Sequence, residues 1–289
     1  MSSQHDLVSI IIVTYNSSEY VIDTLESCLN QTYVPIEIII SDDGSTDNTL
    51  ELCHAWKKNI ATNKNINIIT SNERRGIPAN CNRGANAANG QWLKFLGADD
   101  ILKLDAIQNL INATDANTDL VFSKFETFGE NIRHSEIFPY SFTWNLIKSA
   151  ENCWDKKREW LFLLGFSNVA PGAFIRSSAF HALGGYDESY YLLEDLPLWY
   201  KLFSENYKVK HCESITVCYR IHLKQATSFG ISPLLKKDLL KFTSEKRKKY
   251  FIPYWHNRFQ IYILSNKRIS KLKYINIFQW LISLYNRFF

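Results

Sequence analysis

Along the first hundred residues, short unbroken apolar runs alternate with looser stretches whose apolar positions recur at helical spacing. Val8–Thr14 (VSIIIVT) is a β-branched run of the kind that fits a strand buried on both faces. After a polar break at Tyr15–Ser18, Val21, Leu25, Cys28 and Leu29 fall at i, i+4, i+7 and i+8. That spacing is one stripe of a helix, which Ser17 or Ser18 is placed to cap. Ile36–Ser41 repeats the strand pattern, ends in Asp42-Asp43-Gly44-Ser45, and leads into a second helix with Leu52, Cys53 and Trp56 inward. Ile66–Thr70 predicts a third strand. Pro78 suits the first turn of the next helix, where Cys81, Ala85 and Ala88 form a narrow stripe and Gly90 ends it. Trp92–Leu96 predicts a fourth strand, ending at Gly97-Ala98-Asp99-Asp100, and Leu120–Phe125 a further one.

Strands that alternate with helices call for crossover connections, and crossovers give parallel pairing. The expected fold class is therefore α/β, with a mostly parallel central sheet flanked by helices. Residues 130–165 are rich in aromatics and weakly periodic, and they predict no definite element.

Composition narrows the class. With 289 residues and 46% hydrophobic content the chain can bury a sizeable core, which excludes a disordered or fibrous protein. Cys28, Cys53, Cys81, Cys153, Cys212 and Cys218 are widely spread with no CxxC pair, so reduced thiols are expected and a zinc site is not. The polar start Met1–Asp6 lacks the regions of a signal peptide, and no run reaches the roughly 18 apolar residues of a spanning helix. A cytoplasmic chain that does not cross a bilayer is the expectation. Of the 33 Lys and Arg and 29 Asp and Glu, residues 230–289 hold 13 and 2, so the tail is basic and the body mildly acidic.

In open parallel sheets ligands bind beyond the carboxyl ends of the strands. Thr14-Tyr15-Asn16, Asp42-Asp43 and Asp99-Asp100 all lie there. Taken alone, Asp42-Asp43-Gly44-Ser45 reads equally as a turn with a helix cap. Two adjacent acids after an apolar strand repel each other unless a cation or solvent compensates, and a hard divalent ion bridging to a diphosphate would do so. Neither GxGxxG nor GxxxxGK[ST] occurs after a strand, which weighs against a dinucleotide oxidoreductase or a P-loop enzyme.

VSIIIVTYN, EIIISDDGSTDNT, NERRGIPANCNRGANAANGQWLKFLGADD and LLEDLPLWYKL together resemble, in order and spacing, the successive motifs of family 2 glycosyltransferases. The resemblance covers roughly residues 7–225. It implies a GT-A type fold over residues 1–229, with a nucleotide-binding half (1–125) and an acceptor-binding half (126–229), followed by a basic, aromatic, helical region over 230–289. The implied activity is inverting transfer of a hexosyl or N-acetylhexosaminyl group, from a nucleoside-diphosphate-sugar such as a UDP-sugar to a hydroxyl of a glycan. Bacterial surface polysaccharide synthesis, with a lipid-linked acceptor, is the setting.

By the same resemblance, Thr14, Tyr15 and Asn16 lie along the base and ribose, Asp42 accepts a hydrogen bond from the base edge, and Asp43 supports that loop. Arg75 matches a position near the base and Asn80 one facing the nucleotide. Asp99 and Asp100 match the acidic motif that holds Mn2+ or Mg2+, one toward ribose and one on the metal, though Gly97 stands where the family often has a first Asp. His222 matches a position that closes over the diphosphate or the metal. Asp195 matches the general base that takes the acceptor's proton, with Glu194 assisting. Read without the resemblance, Glu194-Asp195 is first an acidic helix start and His222 a structural or solvated histidine.

A nucleotidyltransferase would need a basic, Gly-rich triphosphate loop, which is absent. A nucleotide-sugar or glycan-binding module without turnover stays open on the missing first acid. The tail carries no nucleic-acid module signature. Its Lys236, Lys237, Lys241, Lys246, Arg247, Lys248 and Lys249, followed by Tyr250, Phe251, Tyr254, Trp255, Phe259 and Tyr262, suit an anionic membrane surface, as does a short interfacial helix over Ile275–Tyr285. That placement would put the chain on the inner face of a bacterial cytoplasmic membrane. Packing of the same aromatics on the catalytic body or on a second copy, a homo-oligomer, is the alternative.

Overall fold

The computed structural model describes residues 6–60, 65–129, 132, 134–151, 154–165, 169–222 and 232–265. Cys153 and the expected interfacial helix over Ile275–Tyr285 lie outside the described residues. β1 (Val8–Thr14), α1 (Val21–Leu29), β2 (Ile36–Asp42), α2 (Thr49–Lys58), β3 (Ile66–Thr70), α3 (Ile77–Asn86) and β4 (Trp92–Gly97) follow the alternation expected from the apolar runs. Two details differ. α1 begins after Tyr20, and Ser17 serves it through its carbonyl, which accepts from Val21 N at 3.0 Å, rather than through its hydroxyl. α3 stops at Asn86, leaving Ala88 and Gly90 in the connection to β4.

Then come β5 (Ile101–Leu102), α4 (Ala106–Asn112), β6 (Leu120–Gly129), β7 (Ile137–Phe138), α5 (Ser141–Ala150), α6 (Lys156–Gly165), β8 (Ala173–Arg176), α7 (Ser177–Ala182), α8 (Asp195–Ser204), β9 (Val209–Ile221), α9 (Pro233–Phe242) and α10 (Phe251–Leu264). The sheet order is β3-β2-β1-β4-β8-β6-β9-β5, with β7 on β6. Pairing is parallel from β3 to β4 and again between β6 and β9, but antiparallel where β8 joins β4 to β6 and where β5 meets β9. The expected parallel sheet thus describes the first half, and a mixed sheet completes it.

Because successive strand side chains point to opposite faces, Ile10, Ile12, Ile38 and Ile40 pack with Leu25, Cys28, Cys53, Trp56 and Ile107 on one side. Ile11 and Ile39 pack with Cys81, Ala85, Leu198 and Trp199 on the other. Both faces are therefore covered, and each buried Ile or Leu contributes about 1.5–3 kcal/mol. α3 lies unusually close to the sheet: a Cβ on Gly84 would fall 2.4 Å from Ile11 Cγ2.

The five described cysteines are free thiols, as expected. α9 and α10 pack on the body through a buried Phe242, through Arg247 Nε donating to Leu163 O at 2.6 Å, and through Asn257 Nδ2 donating to the same carbonyl at 3.0 Å. No helix among the described residues is long and apolar enough to cross a membrane.

Candidate active site

β1 and β2 end side by side, with Thr14 opposite Asp42, so their polar tips meet at one edge. Asp42 is wholly buried. Its Oδ1 accepts from Thr14 Oγ1 at 2.7 Å and Ser45 Oγ at 2.5 Å, and its Oδ2 from Gly44 N, Ser45 N and Thr70 Oγ1 at 3.0, 2.8 and 3.2 Å. Five donors occupy the lone pairs of one carboxylate, so Asp42 organises the loop after β2. Asp43 is also buried and accepts from Arg75 N, Gly76 N and Arg83 Nη2, tying the loop after β3 to that after β2. Asn80 faces inward: it accepts from Ser41 Oγ at 2.7 Å and Arg83 Nη1 at 2.9 Å, and donates to Thr14 O at 3.1 Å.

The groups left facing outward differ from those just named. Asn16 is exposed, in a left-handed conformation (φ 51°), with its Oδ1 accepting from Thr46 N at 2.8 Å. Tyr15 is half-buried, and the guanidinium of Arg74 lies over its ring at 4.0 Å, with the ring of Tyr191 at 5.7 Å from the same guanidinium. Arg75 uses its main chain on Asp43, and its exposed side chain pairs with Glu188 at 3.4 Å.

β4 lies on the other side of β1, so Asp99 and Asp100 arrive at the same edge. A Cβ on Gly97 would meet Asp99 Oδ1 at 2.7 Å and Asp100 Oδ2 at 3.3 Å. Both carboxylates therefore turn an oxygen toward the space that glycine leaves open. His222 Nε2 lies 2.9 Å from Asp99 Oδ2, and its ring packs on Tyr20. Arg220 holds the pair in place, its main-chain N–H donating to Asp100 Oδ1 at 2.9 Å and its Nε to Asp99 O at 2.7 Å.

Asp100 is buried, and desolvation and then the neighbouring Asp99 push its carboxyl well above the usual range, against the Arg220 N–H and the charges of Lys94 and Arg220. Lys94, fully buried on β4, donates to the carbonyls of Pro171 and Ala173, and burial pulls its ammonium down to about 7. Carboxylate oxygens such as those of Asp99 and Asp100 fit Mg2+ or Mn2+. No three His, Cys, Asp or Glu side chains among the described residues already close on one point.

Glu194 and Asp195 stand at the start of α8, partly buried, with Asp195 Oδ1 accepting from Leu196 N at 2.7 Å. Among the described residues neither carboxylate has a cationic partner. Burial, then the charge of Asp195, raises Glu194 to about 8, and burial raises Asp195 to about 6. At neutral pH the pair is thus poised to share one proton. The preceding segment reaches the other clusters directly, since Tyr191 O accepts from Ile77 N at 3.1 Å beside the Gly76 that bonds Asp43.

Arg74, Tyr191, Arg220 and Lys94 carry no mark in the sequence that sets them apart. Arg74 sits beside the Arg75 that the motif singles out, and only the fold shows which of the two meets an aromatic ring.

The comparisons agree with this geometry. Residues 9–183, more than half of the chain, match the family model Glycosyl transferase family 2. The chain is 26% identical over 233 residues to the UDP-Glc:alpha-D-GlcNAc-diphosphoundecaprenol beta-1,3-glucosyltransferase WfaP of Escherichia coli, covering 81% of this chain and 84% of that one. It is 30% identical over 127 residues to the glycosyltransferase GlyG of Streptococcus pneumoniae, covering 44% of this chain and 41% of that one, so it spans less than half of that relative's length. Among solved structures, the mannosyltransferase PcManGT of Pyrobaculum calidifontis in complex with GDP-Man and Mn2+ superposes with a TM-score of 0.62 at 17% identity, over 90% of this chain and 70% of that one. TarS of S. aureus in complex with UDP-GlcNAc gives 0.60 at 17%, over 88% and 70%. These likenesses show a shared fold. With the motifs and the edge they build, the family match shows that the chain belongs to glycosyltransferase family 2.

Proposed function

We propose that this chain transfers a sugar, with inversion, from a nucleoside-diphosphate-sugar of the UDP type to a hydroxyl of a lipid-diphosphate-linked glycan. The observation that carries it is the contrast among the acids at the sheet edge and at the start of α8. Asp42 and Asp43 are spent on N–H and O–H donors, a half-buried Asp99 and a buried Asp100 stand together beside Gly97 with His222 on Asp99, and Asp195 has no cationic partner among the described residues. Residues 1–125 supply the donor side and 126–229 the acceptor side. Thr14, Tyr15 and Asn16 line the base and ribose, beside the loop of Arg75. Asp42, Asp43 and Asn80 fix the loops that receive them.

Asp99 and Asp100, with His222 beside them, would hold Mn2+ or Mg2+, which when bound neutralises charge on the leaving diphosphate. Asp195 accepts the proton of the acceptor hydroxyl as that oxygen forms its bond to the anomeric carbon. The bond from that carbon to the phosphate oxygen breaks on the opposite face, and the nucleoside diphosphate leaves with the electron pair. Glu194, protonated, keeps a second negative charge away from the incoming hydroxyl. WfaP, similar over most of both chains, acts on a diphosphoundecaprenol-linked sugar, which supports a lipid-linked acceptor and a place beside the cytoplasmic membrane.

The test is a screen of nucleotide-sugars for hydrolysis with Mn2+, then transfer from the preferred donor to lipid-diphosphate-linked sugars. Asn at both Asp99 and Asp100 should abolish transfer while the melting curve keeps its cooperativity. Full transfer by that variant, or by the parent in excess chelator, would reject the metal site. A protein that binds donor but never turns it over would instead be a sugar-binding module.

A further inference from the structure

Asp238 lies on α9, in the helical region after the catalytic body, yet it is buried and turned inward. Its Oδ2 accepts from three consecutive main-chain N–H groups, those of Tyr191 at 2.8 Å, Leu192 at 2.7 Å and Leu193 at 3.3 Å. Three successive amides that converge on one carboxylate oxygen form an anion-binding nest, filled here by the chain itself. The next two residues are Glu194 and Asp195.

Neighbouring contacts tie the same segment down. Tyr190 OH donates to Glu245 Oε2 at 2.8 Å, and Lys241 Nζ donates to Ser189 O at 3.1 Å, both partners coming from the C-terminal helical region. On its other side the segment meets α3, through Ile77 N donating to Tyr191 O and through Gly76, whose Cβ would fall 2.6 Å from that carbonyl. The helical region therefore grips the strip of chain that sets where the acidic pair stands relative to the donor loops.

We infer that Asp238 is a positioning residue for Asp195: by clamping the amides of Tyr191, Leu192 and Leu193, it fixes the carboxylate of Asp195 against the acceptor hydroxyl. This rests on Asp195 being the base. A hydrogen bond from a main-chain N–H to an ionised carboxylate is stronger than one to a neutral amide oxygen, so loss of the charge loosens the clamp without emptying it. A displacement of the order of 1 Å at a reacting group costs about a hundredfold in rate. Among the described residues, the groups facing the acidic pair are Cys81 from α3 and Tyr186 from the segment before α8, and neither brings a cation.

The experiment compares the full chain with Asp238→Asn, Asp238→Glu and Asp195→Asn, each with the preferred donor and acceptor. Asp238→Asn should lower kcat about tenfold or more, with donor KM and nucleoside-diphosphate affinity within about twofold of the parent. Its acid limb in kcat/KM should move to lower pH, because water reaching a loosened Asp195 relieves the burial that raises it. Asp238→Glu, which keeps the carboxylate, should recover part of kcat and return the limb toward the parent's position.

An unchanged kcat in Asp238→Asn overturns the inference. So does a lower kcat with an unmoved acid limb, because fewer folded molecules would give that result. Failure of the base assignment looks different: Asp195→Asn would keep its turnover, and the parent would show no acid limb near 6.

Discussion

Two carboxylates in sequence, both partly buried and neither facing a cation among the described residues, cannot both ionise cheaply, so Glu194 and Asp195 share a proton into the neutral range. Burial raises Asp195 to about 6, in reach of the pH at which a base must work. Transfer should therefore rise with pH through about 6, and Asp195→Asn should lower turnover by roughly 10²–10⁴ with donor affinity kept. Steady-state kinetics across pH check both, and a variant that lost donor binding but kept turnover at saturation would make Asp195 a binding residue. Glu194 bears on stability as well. Folded, it holds its proton to about 8; unfolded, it releases it near 4.5. Between those values the folded form binds more protons, so the stability present below the lower one is lost as pH rises through the higher one. Urea titrations between about pH 5 and pH 9 should show the Glu194→Gln midpoint falling less than the parent's. These acids were visible in the sequence because each follows or precedes an apolar run. What the sequence did not show is which would be consumed by the chain. Asp42 and Asp99 look alike in a motif, yet one is wholly buried and accepts five hydrogen bonds while the other is half-buried and meets His222.

α3 shows how an element sets the site. Its N-terminal loop carries Arg74 and the amides that bind Asp43, and its Gly84 lets it lie on β1 with no intervening side chain. Gly84→Ala would drive a methyl to within 2.4 Å of Ile11 Cγ2, and overpacking of this kind costs about 1–3 kcal/mol, to be read as a lower urea midpoint with an unchanged slope. Gly76→Ala meets a different obstacle, a main-chain carbonyl at 2.6 Å and a φ of +98°. It should cost more stability than Gly84→Ala, because a backbone atom cannot rotate away. The strands and helices of the first hundred residues were legible because β1, β2 and β4 are apolar and buried along most of their length and each helix keeps one stripe. α6 was not, since Trp160–Leu164 is an unbroken apolar run that reads as a strand as easily as a helix. β9 escaped for the opposite reason: its residues are largely half-buried and polar-mixed, and only its long pairing with β6 makes it a strand.

Across the whole molecule, the C-terminal helices face two ways. Their inner sides grip the catalytic body at Phe242, Arg247 and Asp238, and of the tail aromatics singled out in the sequence Tyr250 packs against that body. The outer side of α10 exposes Phe251, Ile252, Trp255, Phe259 and Tyr262 at spacings of three, four and one, which is a single face of a helix. Lys248 and Arg258 are exposed beside them. An aromatic stripe flanked by cations suits the headgroup level of an anionic bilayer, where Trp and Tyr settle and each Lys or Arg contributes about 1 kcal/mol. Such a face would hold the enzyme beside a lipid-linked acceptor while the donor edge stays in water. The full chain should therefore sediment with vesicles containing phosphatidylglycerol, less with purely zwitterionic ones, and less again at high salt. Replacing Phe251, Trp255 and Phe259 with Ser removes exposed side chains that the fold does not use, so the variant should keep its melting temperature and its activity on a soluble acceptor while losing vesicle binding. Equal sedimentation of parent and variant would show that this face is not the membrane contact, and a parent that ignores anionic vesicles would remove the membrane from the account altogether.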